Sequence, residues 1–474
     1  MAALGYGVSG WLALHFSEGH VTFIGVTLYP YLLLSYDRAV EETEWIVPAA
    51  LCAAWILSLG GTFTPPMAAE LLFVWAVLKT IERRSAKPFL LLGAAGVIAG
   101  CCIAIRMLPV LQFIHDHPRP PKMRAADIVW PWQIVEDLIR WRELSAVPGR
   151  RYWAHEYCAR LPWLLLPLWA AGLALPWSRR LSPRVKRAAR QLFALTLVAS
   201  LFTMGNFSPV APWSLIQRLP VMRDLRVPSR HEILVVLGLS LLAGMAWDWL
   251  FLQLRSRSEP AARLLQRTSV VLIVLVAADG ALFTAWQYRD VFTVKLPLPS
   301  EKPRFFQMHS SWRIMREQLF AGHGSIDTPG APDPGCDEEA PLQRADELDA
   351  GDVPQERLLD PSAGTVLSSA WSPNVRKIEV QLDRPTILLV NSNWNEHWHV
   401  DGEDQPGGPR MTKVAGRLSV DLAALPPGRH TITLRYAPRA FTIGAIVTAV
   451  SLPLALAWFF LARRRRRQVM PVSG

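Results

Sequence analysis

Charge and cysteine are both scarce in this chain. Only 19% of its 474 residues are Asp, Glu, Lys or Arg, below the quarter usual for soluble domains, which argues against a single soluble core. The five cysteines (Cys52, Cys101, Cys102, Cys158 and Cys336) include no Cys-x-x-Cys pair, and three fall in apolar runs. Neither a disulfide framework nor a cysteine zinc site follows. No targeting segment precedes the first apolar stretch, and Leu4 to Phe16 is too short to span a bilayer. Negative charge is the scarcer sign, 39 residues against 50, for a net +11. The excess does not indicate nucleic acid as a partner, because the basic residues cluster between apolar segments, where membrane topology and lipid headgroups account for them.

What the chain does have is apolar length: 51% hydrophobic residues, 20 Trp, and a mean hydropathy of +0.19. Phe441 to Ala462 carries no charge and runs into Arg463-Arg464-Arg465-Arg466-Arg467. At 1.5 Å per residue it is long enough for a hydrocarbon core of ~30 Å. The arginine run should stay in the cytoplasm, which puts the preceding strand-like region outside. Eight further apolar segments, 20–36, 45–61, 66–79, 88–109, 161–177, 189–205, 231–251 and 268–287, bring the expected crossings to nine. Three basic loops, at Lys79 to Lys87, Arg179 to Arg190 and Arg255 to Arg267, then all fall inside. The segment 66–79 is the weakest, being short and carrying Glu70. This count puts Met1 outside, an unusual start that suggests missing upstream helices or, alternatively, an interfacial Leu4 to Phe16.

The expected architecture is mostly α: a polytopic helix bundle over 1–287, an extracytoplasmic linker over 288–365, an antiparallel β-sandwich over 366–439, a last helix over 440–462 and a basic tail over 463–474. Residues 322–364 are rich in Pro, Gly, Asp and Glu and read as loop. Beyond them, Val375 to Leu382, Thr386 to Val390, Leu418 to Leu422 and His430 to Tyr436 read as strands, with Asp401-Gly402 as a tight hairpin turn.

Several residues invite chemistry. The outer loop Leu219 to His231 carries Arg223, Arg226 and Arg230 on the side where basic residues are disfavoured. Forked arginines suit the phosphate of a lipid carrier, or ordinary headgroups together with Asp224. Arg106 lies in an apolar run, where a cation usually faces a polar cavity or a carboxylate. Glu18 and His20, with His15 nearby, are candidates for acid–base work, or for a capping role at a helix break. In loop 110–160, which reads as interfacial amphipathic helix, Asp116, Asp127, Glu136 and Asp137 are the carboxylates available as bases. His397 and His399 lack a third ligand, so no metal site or cofactor is expected.

The run Asn395-Glu396-His397-Trp398-His399-Val400-Asp401-Gly402, with Gly416-Arg417-Leu418 and Leu425 to Pro438, resembles the C-terminal outer domain of YfhO-like bacterial membrane proteins, among the GT-C-type glycosyltransferases. His397 stands where that family has glycine. Arg226-Val227-Pro228-Ser229-Arg230 is similar to an outer loop of the group, and Gly19-His20 with Tyr29-Pro30 to one of its helix pairs. The resemblance implies a multi-pass protein of the cytoplasmic (inner) membrane that transfers a sugar from a polyprenyl-phosphate carrier to a glycan or cell-envelope acceptor outside. GT-C enzymes carry a catalytic acid in the first outer loop, and the resemblance implies that this chain begins beyond that loop. The alternative is therefore a non-catalytic or truncated protein of the same fold, an assembly partner or lipid-handling protein. Trp394 and Trp398 could stack on sugar rings, but the spacing of Trp398 and Val400 fits a sandwich core better.

Overall fold

The computed structural model describes residues 1–17, 20–60, 63–116, 127–142, 146–219, 222, 225, 227–289 and 354–469. It divides into two units, one of helices with the end of the chain and one containing the β-sandwich.

Helices of the first unit are α1 (Ala2–Gly7), α2 (Gly10–Ser17), α3 (Tyr29–Glu41), α4 (Ile46–Ser58), α5 (Thr64–Arg83) and α6 (Lys87–Cys102). They continue with α8 (Pro131–Ile139), α9 (Leu166–Ala174), α10 (Pro183–Thr203), α11 (Pro212–Ile216), α12 (Glu232–Arg257) and α13 (Glu259–Tyr288), while α7 (Ala104–Asp116) falls in the second unit. The centre is α12. Residues Glu232 to Ser240 are all buried, so its first half is enclosed on every side. Two glycines explain how neighbours come so close. A Cβ at Gly172 would meet the Leu242 carbonyl at 2.7 Å, and one at Gly238 would collide with Thr196 Oγ1. α9 and α10 therefore pack backbone-close against α12.

Among the described residues, three helices are long and apolar enough to cross a membrane: Pro228–Arg257, Glu259–Tyr288 and Arg439–Arg466. The pair Lys87–Cys102 and Ala104–His115 would make a fourth if counted together. Val270, Val271, Val274 and Leu282 on α13 are exposed, as are Ile446, Val450 and Leu454 on α14 (Arg439–Val469). Apolar faces of this length are compatible with membrane association. The expected nine crossings are not matched by nine long apolar helices. Segment 20–36 is split into a 3₁₀ stretch, Val21–Leu28, and α3, while 161–177 is three short pieces and 88–109 breaks at Ile103. Prolines at the starts of α3 and α9 explain why a hydropathy count overran the helices.

The β region is two four-stranded antiparallel sheets, ordered β1-β4-β7-β6 and β2-β3-β8-β5. The strands are β1 (Glu356–Leu358), β2 (Gly364–Ser372), β3 (Val375–Leu382), β4 (Ile387–Asn393), β5 (Trp398–Val400), β6 (Arg410–Val414), β7 (Arg417–Asp421) and β8 (Gly428–Tyr436). Ile378, Val380 and Leu382 alternate inward from β3 and meet Leu388, Val390, Leu418, Val420, Ile432 and Leu434. The sandwich thus starts about ten residues before the expected boundary at 366, because β1 and the start of β2 fall in the stretch read as linker. Asp401-Gly402 is not a tight hairpin: β5 pairs with β8 and β6 with β7, so the turn connects the two sheets. Gly402 still needs its positive φ of 88°, and Arg435 Nε donates to Asp401 Oδ1 at 2.9 Å.

Candidate functional site

Five polar side chains from four segments of the helical unit meet in one buried centre. His15 lies in the last turn of α2, and the His20 N–H donates to the His15 carbonyl at 2.9 Å. Their Nδ1 atoms are 3.3 Å apart. His155 and Glu156 come from the 3₁₀ turn Ala154–Glu156, and the His155 ring centroid lies 5.7 Å from that of His15 and 5.3 Å from that of His20. Arg230 comes from the turn Pro228–His231 that leads into α12.

Glu156 is the hub. Arg230 Nε donates to its Oε2 at 2.7 Å, Arg230 Nη2 donates to Oε1, and His155 Nε2 lies 3.3 Å from Oε1. The guanidinium also sits 4.0 Å from the Phe63 ring centroid and 5.1 Å from that of Phe23. Burial alone would raise the Glu156 pKa, but the charge and hydrogen bonds of Arg230, with His155 and His15, hold it well below the ordinary carboxylate range. Burial pushes His15 the other way, well below 6.5, with Glu156 opposing and Arg230, His155 and His20 adding to the shift. His15 is therefore a neutral ring with a lone pair, packed against Trp11 at 4.1 Å and Phe23 at 4.5 Å. Its Nε2 has no hydrogen-bond partner among the described residues. His15, His20 and Glu156 each place a ligand atom within 4.8 Å of the others, so these residues can hold a metal ion.

A second polar layer supports the centre. His231 Nε2 meets Glu70 Oε2 at 2.5 Å and its Nδ1 meets the Pro228 carbonyl at 3.0 Å, which fixes the turn carrying Arg230. Nearby, Asp137 is fully buried between Arg142 and Arg150, at 3.1 and 3.0 Å. Burial raises its pKa to about 6, against the pull of both arginines. Tyr157 donates to Asp127 Oδ2 at 2.9 Å, and burial raises that carboxyl as well. Elsewhere Arg160, fully buried, grips Asp279 at 2.6 and 2.8 Å beside Trp141. A shallow apolar groove at Ile139, Arg140, Trp141, Trp163 and Leu166 brings together no comparable set of titratable groups.

Of the residues singled out in the sequence, the structure brings together His15, His20 and Arg230. Glu18, Arg223 and Arg226 lie outside the described residues. Arg230 is not a free phosphate ligand: its fork is occupied by Glu156, because a buried guanidinium needs a carboxylate. Arg106 is exposed on α7 rather than facing a polar cavity. Trp398 is only partly buried, since β5 is a three-residue edge strand, and His399 is exposed. The sequence reading weighed a metal only at His397 and His399, and the His15, His20 and Glu156 grouping, which could hold one, was not anticipated. Glu156 and His155 were missed altogether. Their partner Arg230 is 74 residues away from Glu156, and no spacing rule links them.

No family model matches the chain, and neither a curated protein nor a solved structure matches it.

Proposed function

We propose that this chain is a membrane-embedded glycosyltransferase-like enzyme that moves a sugar from a polyprenyl-phosphate carrier to a glycan or cell-envelope acceptor, with the buried centre as its reaction site. The observation that carries the reading is the His155–Glu156–Arg230 arrangement at the head of the apolar helix Pro228–Arg257. The carboxylate favours the proton on His155 Nε2 and leaves Nδ1 as the lone-pair nitrogen. In the proposed step, that nitrogen takes the proton of the acceptor hydroxyl as its oxygen bonds to the anomeric carbon. The bond from that carbon to the carrier phosphate oxygen breaks, and the lipid phosphate leaves.

Topology supports the placement. Arg255 and Arg257 end the same helix opposite Arg230, and Arg263 and Arg267 follow. Basic residues of this kind are retained in the cytoplasm, so the proposed centre lies toward the outer leaflet of a cytoplasmic membrane. Arg223 and Arg226, just before Pro228 in sequence, are the proposed contacts for the carrier phosphate, and bilayer lipids would surround the apolar helices.

The test is transfer of labelled sugar from synthetic polyprenyl-phosphate donors by the purified full chain in lipid nanodiscs. Wild type should turn over, and His155→Gln should lose about 10²- to 10⁴-fold, the usual worth of a positioned base. Wild type that binds the carrier but transfers nothing would favour the non-catalytic, lipid-handling reading. Full turnover by His155→Gln would remove His155 from the reaction.

A further inference from the structure

We propose that His15, His20 and Glu156 form a binding site for one divalent transition-metal ion of the zinc class. The geometry comes first. Two nitrogens bound to one tetrahedral zinc at 2.0–2.1 Å are separated by about 3.3 Å, the edge of the tetrahedron. The His15 and His20 Nδ1 atoms are 3.3 Å apart, and His15, His20 and Glu156 each offer a ligand atom within 4.8 Å of the others. Two imidazoles and a carboxylate are a set that binds zinc with a position left open.

A purely aromatic packing role fits the site less well. His15 is fully buried with its Nδ1 3.3 Å from the Nδ1 of His20, and two ring nitrogens facing each other at that distance need a proton or a cation between them. Metal coordination uses a ring nitrogen's lone pair. The outer supports are also present. Arg230 orients the Glu156 carboxylate with two hydrogen bonds, and Trp11, Phe23 and Phe63 wall the centre with apolar surface. His20 is only partly buried, which gives the ion a way in.

Charge then says what the open position takes. Arg230 already balances Glu156, so a divalent ion adds two positive charges to an otherwise neutral set. The remaining ligand is therefore an oxygen, from water, hydroxide or an anion. Glu156 is shared with the proposed transfer site, but metal binding is read without turnover, so either reading can fail alone.

Purified full chain in detergent, stripped with chelator, would be titrated with Co²⁺ and Zn²⁺, reading the visible Co²⁺ spectrum and the metal retained per chain. One tightly held equivalent with the spectrum of a four- or five-coordinate site is expected, weakened at least tenfold in His20→Ala and kept in His155→Gln. His20→Cys should retain the ion and add a thiolate-to-cobalt band. Wild type that holds no ion, or His20→Ala that binds as tightly as wild type, overturns the site. Because His20→Ala can loosen the fold, His20→Cys decides that case: loss of the ion from a variant whose metal-free melt matches wild type also overturns it.

Discussion

The Glu156–Arg230 pair permits a prediction that separates a structural role from a negligible one. Both side chains are almost fully buried, at 4% and 8% exposure. Removing one partner of such a pair strands a charge and costs about 3–5 kcal/mol, whereas replacing both with apolar groups of similar volume is often near neutral. Local contacts set where in that range each change falls. In Glu156→Leu, Arg230 keeps its place 4.0 Å above Phe63, a cation–π contact that returns about 2 kcal/mol when desolvated. In Arg230→Met, the carboxylate keeps His155 Nε2 at 3.3 Å as a remaining polar partner. Each single change should therefore sit near the lower end, about 3 kcal/mol. The double variant should cost less than the two singles together, with a coupling of at least about 3 kcal/mol. Denaturant unfolding of the four proteins in one mild detergent, followed by tryptophan emission, measures the cycle, and Trp11, buried against His15, is a local reporter. Singles within about 1 kcal/mol of wild type and additive in the double would mean that the centre is open to water, and the argument for a desolvated site would fail.

Further expectations follow from the same structure. The fold raises the Asp137 pKa to about 6 from an unfolded value near 3.9, so its contribution to stability is fully present below about pH 3.9 and is lost as pH rises through 6; unfolding of Asp137→Asn between pH 4 and 7 should lack that component, and an unchanged profile would refute it. In the sandwich, Leu418→Ala, at a fully buried position, should cost about 2–5 kcal/mol, while Trp398→Ala on the edge strand should cost distinctly less; a melt showing the reverse order would place Trp398 in the core. A cysteine introduced at Ser258, between α12 and α13, should resist a membrane-impermeant reagent in intact cells and react after lysis; labelling in intact cells would invert the proposed orientation. Glu70→Gln, which leaves His231 with a weaker partner at the turn bearing Arg230, should lower transfer more than it lowers the melt, and equal effects would make the pair purely structural.

The sequence by itself determined the elements whose physics is local. Strand alternation over Val375 to Leu382 gave β3 to the residue, because a half-buried strand writes its burial into every second side chain. The last helix was equally legible, since Phe441 to Ala462 carries no charge and is followed by five arginines. Apolarity alone overran elsewhere. A hydropathy window cannot tell a long helix from short pieces joined at Pro30, Pro162 or Pro167, which is why 20–36 and 161–177 read as crossings. His15 and His20 were visible as chemistry because they lie only five positions apart. Glu156 was not, and neither was its hold on Arg230: a carboxylate and a guanidinium 74 residues apart carry no sequence signal of contact. Only the packing of the turn Ala154–Glu156 against the head of α12 decides that the arginine is spent on a carboxylate, and that two histidines stand one tetrahedral edge apart beside it. Charge pairing in a desolvated interior depends on three-dimensional distance, and that distance exists only once the helices have closed around α12.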